Sequence, residues 1–320
     1  VSKKISKKGT TEYEGVLAIG DPHLEDRVPG YRSDDYPRVI LQKLQWCLDT
    51  ARRENLMPVL LGDLFQVPRN NPNWLIVEVL DMFESQEVFG IVGNHDIYEN
   101  ELNEHDSLRI VEEAGRLHLL DASGLDLEMA GVPVRLGGTN WGQPLPGSVE
   151  TDGRLVLWFT HHDLHLPGFE RSAKVRLGEI PGVDVVVNGH IHKRMPPVQR
   201  GSTRWINPGN IARRERSQIT RDHVPAALEL RPTGGKTPGW THLYREIPHR
   251  GFAEVFHAKE ETVELPAGGP SGFVAGLAEL HAERTSTGTG LMSFLDKHLD
   301  KFDGDVATEI RRLAKEVTDA

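Results

Sequence analysis

The chain has 320 residues, 38% of them apolar and 26% charged, with a formal net charge of −10 at pH 7. That balance is the ordinary one of a globular protein with a sizeable core, and its acidity argues against a protein that coats DNA indiscriminately by neutralising phosphates. The single Cys47 excludes an internal disulfide and fits a reducing, cytoplasmic setting, while no apolar run approaches the ~20 residues of a membrane span.

In chain order, Lys3, Lys4, Lys7 and Lys8 open the sequence with no apolar stretch behind them. Residues 1–10 therefore read as a basic disordered tail and not a secretory signal. Val16–Ile19 is a buried strand leading into Asp21-Pro22-His23. A helix follows over Pro37–Glu54, with Ile40, Leu41, Leu44, Cys47 and Leu48 on its apolar face. Val59–Leu61 leads into Gly62-Asp63. Asn73–Glu84 reads as a helix whose apolar face holds Trp74, Val77, Leu80, Met82 and Phe83. Val88–Val92 leads into Gly93-Asn94-His95-Asp96. Leu108–Ala114 is a short helix and Leu117–Leu120 a strand. Val132–Gly137 is another, with Gly137-Gly138 as a turn towards Trp141. Leu155–Phe159 precedes His161, and Val183–Val187 precedes Gly189-His190-Ile191-His192.

Beyond the last motif the chain is locally basic: Lys193, Arg194, Arg200, Arg204, Arg213, Arg214, Arg216 and Arg221 stand against Glu215. Lys193, Arg194, Arg213 and Arg214 are the candidates to line an approach for a phosphate backbone; the bland alternative is a solvated loop. Ala227–Leu230 and Trp240–Ile247, around Gly234-Gly235, read as a hairpin. Breaks rich in Gly, Pro, Ser and Thr at Leu265–Pro270 and Ser286–Gly290 divide the rest. The expected organisation is a main domain over 11–263, a linker with a short helix over 264–290, and a helical hairpin over 291–320. Leu291, Phe294, Leu295, Leu299 and Phe302, then Val306, Ile310, Leu313 and Val317, give that hairpin an apolar stripe. It packs on its own domain or docks a partner.

Five motifs thus sit behind five strands. In open α/β sheets the strand ends share one crevice, where ligands bind. Two Asp, one Asn and several His would meet there, a set of hard and borderline donors without a thiolate. Two divalent cations roughly 3.5–4 Å apart clamp a phosphoryl group and activate a water. Such a pair needs one carboxylate that reaches both ions, and Asp63 is the candidate. Asp-x-His and His-x-His place two donors on the same side of a tightly turning segment. His161, directly off its strand, is favoured over His162 as the donor in the fourth motif.

These motifs resemble the calcineurin-like metallophosphoesterase superfamily, over roughly Tyr13 to Ala212. The resemblance implies a four-layer α/β/β/α sandwich, here with a small C-terminal helical appendage. It implies Asp21, His23 and His192 at one metal, Asn94, His161 and His190 at the other, and Asp63 bridging. It also implies hydrolysis of a phosphoester by a metal-bound hydroxide, with His95 protonating the leaving oxygen and Asp96 orienting His95. Manganese is the expected ion, with iron or zinc as alternatives.

Gly62-Asp63-Leu64-Phe65, Gly189–Arg194 and Asn207-Pro208-Gly209-Asn210 resemble more narrowly the SbcD-like nuclease subunits of double-strand-break repair complexes. That branch implies a DNA nuclease, an SMC-like ATPase docked on the C-terminal hairpin, and a homodimer. The chain departs from it at Gln66, where His or Asp is common, and at Asn210, where Ser is common. The DNA nuclease is the leading expectation, carried by the Asp-Leu-Phe and His-Lys-Arg flanks, the basic stretch and the terminal hairpin. Gln66 and the acidic net charge favour the alternative, hydrolysis of a nucleotide, a cyclic nucleotide or a phosphoprotein. A catalytically silent scaffold is the reading from a different class, and the presence of every ligand and His95 speaks against it.

Overall fold

The computed structural model describes residues 13–169, 173–257 and 308. The lysine-rich start, the linker over 264–290 and the hairpin over 291–320 lie outside the described residues, Thr308 apart. The described residues up to Leu166, with Lys174–His257, form one compact unit.

Its elements follow one another as β1 (Gly15–Ile19), α1 (Tyr36–Arg53), β2 (Leu56–Leu60), α2 (Asn73–Met82), β3 (Val88–Gly90), α3 (Ser107–Glu113) and β4 (Leu117–Leu119). Then come β5 (Leu125–Met129), β6 (Val132–Thr139), β7 (Leu155–Thr160), β8 (Val185–Asn188), β9 (Val198–Arg200) and β10 (Thr203–Ile206). The short helix α4 (Gln218–Asp222), the hairpin β11 (Ala226–Thr233) and β12 (Gly239–Glu246), and α5 (Phe252–Val255) complete the described chain. The strands form two six-stranded sheets, ordered β12-β11-β1-β2-β3-β4 and β5-β6-β7-β8-β10-β9. In each sheet four neighbouring strands run parallel; antiparallel strands close both edges of the second sheet, and β11 and β12 close one edge of the first, whose other edge is the parallel β4. This is the α/β metallophosphoesterase sandwich that the motifs imply, with few helices among the described residues.

Side-chain alternation along the strands sorts two cores. Val16 and Ala18 of β1, with Met57 and Val59 of β2, face the second sheet and meet Leu136, Leu157, Phe159, Val187 and Ile206. Leu17 and Ile19, with Leu56 and Leu60, face the other way and pack on Ile40, Leu44, Cys47 and Leu48 of α1. Asp35 caps α1 by accepting from the Arg38 backbone N–H at 3.4 Å, Pro37 follows at the first turn, and Arg52 and Arg53 close the last. Buried among the apolar side chains of α1, Cys47 has its thiol pushed well above the usual range by desolvation, so it is an inert packing group.

Two sequence expectations change. In α2 the buried face is Leu75 and Val79, continued by Phe83, while Trp74 and Val77 stand 38% and 52% exposed. The i, i+4, i+8 stripe of Leu75, Val79 and Phe83, not the expected face, is the one that meets the first sheet's core. Gly137 and Gly138 form no turn; they lie inside β6, paired with Trp158 and Phe159 of β7. The Trp158 ring lies over Gly137 where a Cβ would overlap it, and its indole N–H donates to Thr139 Oγ1 at 2.8 Å. Gly137→Ala is therefore expected to destabilise the fold by about 1–3 kcal/mol in denaturant unfolding. Gly147→Ala, where nothing stands near the added methyl, is the matched control and should unfold like the wild type.

Candidate metal centre

The five motifs meet at the carboxyl ends of β1, β2 and β3 of one sheet and β7 and β8 of the other. The turns that carry them are tight. Asp21, His23, Asp63 and His190 all take left-handed backbone angles, with φ of +39°, +48°, +51° and +65°. Such angles cost of order 1–3 kcal/mol per non-glycine residue and persist where surroundings over-determine them. For Asp63 the determinant is the carboxylate of Asp96. It accepts the backbone N–H groups of Asp63 at 2.8 Å, Gly93 at 2.9 Å, Leu64 at 3.0 Å and Phe65 at 3.4 Å. Two motif turns are thereby tied to one buried side chain. Gly93 is the other requirement, because a Cβ there would overlap the Asp63 carboxylate.

Two donor sets form. Asp21, His23, Asp63 and His192 make one, and Asp63, His161 and His190 the other, the ligand atoms of each lying within 4.8 Å of one another. Asp63 belongs to both: its Oδ2 is 3.5 Å from His23 Nε2 and 3.2 Å from His161 Nε2. Its Oδ1 accepts the His95 backbone N–H at 2.7 Å. Asn94 Oδ1 lies 3.1 Å from His161 Nε2 and 2.9 Å from His190 Nδ1, which adds it to the second set. The far nitrogens are anchored. His161 Nδ1 reaches the Leu61 carbonyl at 2.6 Å, and His190 Nε2 reaches Asp163 Oδ1 at 2.7 Å. Anchors of this kind fix a ligand's tautomer and ring orientation.

The electrostatics fit a cation. Asp21, His23, Asp63, His161 and Asp96 are each at most 2% exposed. Burial, with Asp63 nearby, pushes Asp21 up to about 7 against the pull of His161, and burial and Asp63 do the same to Asp96. Burial would also raise Asp63, yet His161 and His95 hold it well below the usual range. Burial would lower His161, but Asp63 drives it up to about 9. Burial takes His23 well below its ordinary value and His192 down to about 3, so both are neutral lone-pair donors. Their Nε2 atoms face each other at 2.9 Å, and Asp21 Oδ2 is buried without a hydrogen-bond partner. Carboxylate, amide and imidazole without thiolate are the donors of a catalytic divalent-ion site.

Some sequence-predicted residues are placed otherwise. Asp96 does not orient the His95 ring: His95 Nδ1 lies 2.8 Å from the Gln66 carbonyl, and Asp96 is consumed by backbone amides. His162 turns away from the donor sets, its Nε2 at 2.8 Å from the Gln143 carbonyl. Arg213 is buried and donates to the carbonyls of His223 and Arg250, both at 2.8 Å, so it offers no free surface to a phosphate backbone. Arg214 pairs with Glu25 at 2.7 Å, close enough to His23 to depress it further. Arg194 lies over the Tyr244 ring at 4.3 Å, and Lys193 is exposed directly after His192.

Three residues escaped the sequence reading. Asp163 anchors His190; its signal was a carboxylate two residues after His161. Trp141 stacks at 4.8 Å from His190 and walls the second set. Asn188, fully buried, accepts from Thr160 Oγ1 at 2.8 Å and from the His162 N–H at 3.0 Å, joining the ends of β7 and β8.

Two sheets whose strand ends carry adjoining donor sets around one shared carboxylate define a class, the metal-dependent phosphoester hydrolases. The chain belongs to the calcineurin-like phosphoesterase family, whose Metallophos model matches residues 15–194. No curated protein matches it. Similar solved structures include a hypothetical protein from Thermus thermophilus, at 12% identity and TM-score 0.43, covering 73% of this chain and 99% of that one. Another is a predicted phosphoesterase from Streptococcus pneumoniae, at 13% identity and TM-score 0.34, covering 73% and 92%. Vps29 of Chaetomium thermophilum matches at 14% identity and TM-score 0.28, covering 75% and 100%. Among the described residues no helix is long and apolar enough to cross a membrane.

Calorimetric titration with manganese checks the two donor sets. Wild type is expected to bind two equivalents, and Asp63→Asn, which keeps a residue tolerant of left-handed angles, to lose both. Asp163→Ala should weaken one site about 10–100-fold and leave the other unchanged.

Proposed function

We propose that the chain is a phosphodiesterase working with two divalent cations. Asp21, His23 and His192 would hold one and Asn94, His161 and His190 the other, with Asp63 available to both. The observation that carries this reading is the position of Asp63 Oδ2 between His23 Nε2 and His161 Nε2, at 3.5 and 3.2 Å. Ions held there would supply Lewis-acid polarisation of a phosphoryl oxygen and would lower the pKa of water to about 7. Manganese is the ion proposed, and the donor set also suits iron or zinc.

The chain's own residues then divide the remaining work. The His95 backbone is held by Asp63 Oδ1, and its ring stands edge-on to His23 at 4.8 Å. With Nδ1–H donated to the Gln66 carbonyl, Nε2 is the nitrogen left to exchange a proton with the leaving oxygen. Asp63 gives one oxygen to the donor sets and the other to the segment that carries this acid. Asp96 keeps both segments in register by holding their amides.

The free positive charge bears on the substrate. Arg213 is buried, Arg214 is paired and Arg194 is stacked, which leaves little cationic surface beside the centre for a long phosphate backbone. This supports a small phosphodiester, such as a nucleotide or cyclic nucleotide. The second reading is an SbcD-like DNA nuclease with an ATPase partner on residues 291–320. The Asp-Leu-Phe and His-Lys-Arg flanks and the exposed Lys193 favour it.

His95→Ala should keep both ions and lose about 10²–10⁴-fold in turnover of a diester with a poor leaving group. The loss should be much smaller for a 4-nitrophenyl diester, whose leaving group departs without a proton. Undiminished turnover of the poor leaving group would overturn the assignment of His95. Manganese-loaded protein assayed on a 4-nitrophenyl diester, a cyclic nucleotide and end-labelled DNA separates the substrate classes. Turnover of the first two without DNA cleavage is expected. DNA degradation by wild type and not by Asp63→Asn would put the nuclease reading first, and two bound ions without any turnover would leave a scaffold.

A further inference from the structure

A second concavity, lined by none of the metal-ligand candidates, lies along one stripe of α1. Lys43 and Trp46 project into it at helical spacing, opposite Arg32, Arg213 and Arg250, and it encloses about 420 Å³. That volume is within the range of small-molecule sites, roughly 300–1,000 Å³. Its charge is unusual for a chain of net charge −10. Lys43, Arg32 and Arg213 are all buried, and the carboxylate lining the cavity is that of Asp34. Arg32 takes that carboxylate with both forks, Nε to Oδ1 at 2.8 Å and Nη2 to Oδ2 at 2.7 Å. Lys43 and Arg213 hydrogen-bond only to neutral carbonyls among the described residues. Lys43 Nζ donates to the Ile211 carbonyl at 3.1 Å, and Arg213 donates to the carbonyls of His223 and Arg250.

Desolvated cations that outnumber their counter-charge are costly, and the structure registers the cost: burial, then Arg32 and Arg213, push Lys43 down to about 7 against the pull of Asp34. An anion in the cavity would relieve it. Arg250 stands exposed at the rim as a further donor, and Trp46, half-buried against the core, offers an apolar wall. Arg213, Arg250 and a Lys43 amine that a bound anion would keep protonated suit a dianion better than a monoanion, and guanidinium forks suit phosphate oxygens.

We propose that this cavity is a binding site for a small organic phosphate, separate from the metal centre. Its phosphate lies among Lys43, Arg213 and Arg250, and its apolar part lies against Trp46. The site does not depend on the hydrolytic reading, because none of its residues belongs to the donor sets.

Calorimetric titration of the full chain with phenylphosphonate, a non-hydrolysable probe, tests it, run in parallel with and without manganese. Without manganese the carboxylates of the metal centre repel anions, so binding there reports on the cavity alone. One saturable site is expected under that condition. Lys43→Met and Arg250→Glu should each weaken it at least about tenfold while keeping the wild-type melting temperature and the manganese-dependent turnover of an aryl phosphodiester. No saturable binding without manganese, or an affinity unchanged in both variants, would overturn the proposal.

Discussion

One buried carboxylate sets the terms for everything around it. Asp96 makes no contact suited to chemistry; it gathers backbone amides from the turn after β2 and the turn after β3. Those turns carry Asp63, Asn94 and His95. Four of the donor-set residues sit at left-handed angles that the polypeptide does not choose unaided. For Asp63 the Asp96 carboxylate supplies the constraint that local sequence cannot, and at His190 the Asp21 carboxylate holds the backbone N–H. The charge of Asp96 is costly at that depth, which is why burial and Asp63 push it up to about 7. The same amides that it fixes draw it back towards ionisation.

The donor sets express the complementary imbalance. Three carboxylates, Asp21, Asp63 and Asp96, share a dry volume with His161 as their main positive neighbour, while His23 and His192 are held neutral. A protein interior tolerates this only with compensation. Divalent ions would supply it, and the place of Asp63 in both sets would let it serve two of them. The basic residues around them are mostly engaged with carbonyls, Glu25 and Tyr244, so they brace loops.

Much of this was legible in the chain. The five strands announce themselves as apolar runs, and parallel strands in a sheet leave their carboxyl ends at a common edge, so the motifs had to meet. His161 over His162 followed from its place at the strand end. The short strands β5, β9 and β10 were not legible, because runs of three to five residues with charged members carry no clear period. Gly137-Gly138 looked like a turn because glycine usually punctuates; here it makes room for Trp158, a partner on the next strand. Asp163, Asp96 and Arg213 share one cause of misreading or oversight. Their roles depend on which carbonyl, amide or imidazole the fold brings to them from elsewhere, and composition or spacing does not encode that.

Neither sheet owns either donor set. Asp21, His23, Asp63 and Asn94 leave the first sheet, while His161, His190 and His192 leave the second. Bound ions would act as rivets across the sandwich, so their binding free energy is also docking energy between its halves. The thickness of the apolar layer beneath, to which Ile91, Phe159 and Leu228 contribute, would then help to set the distance between the halves of each donor set.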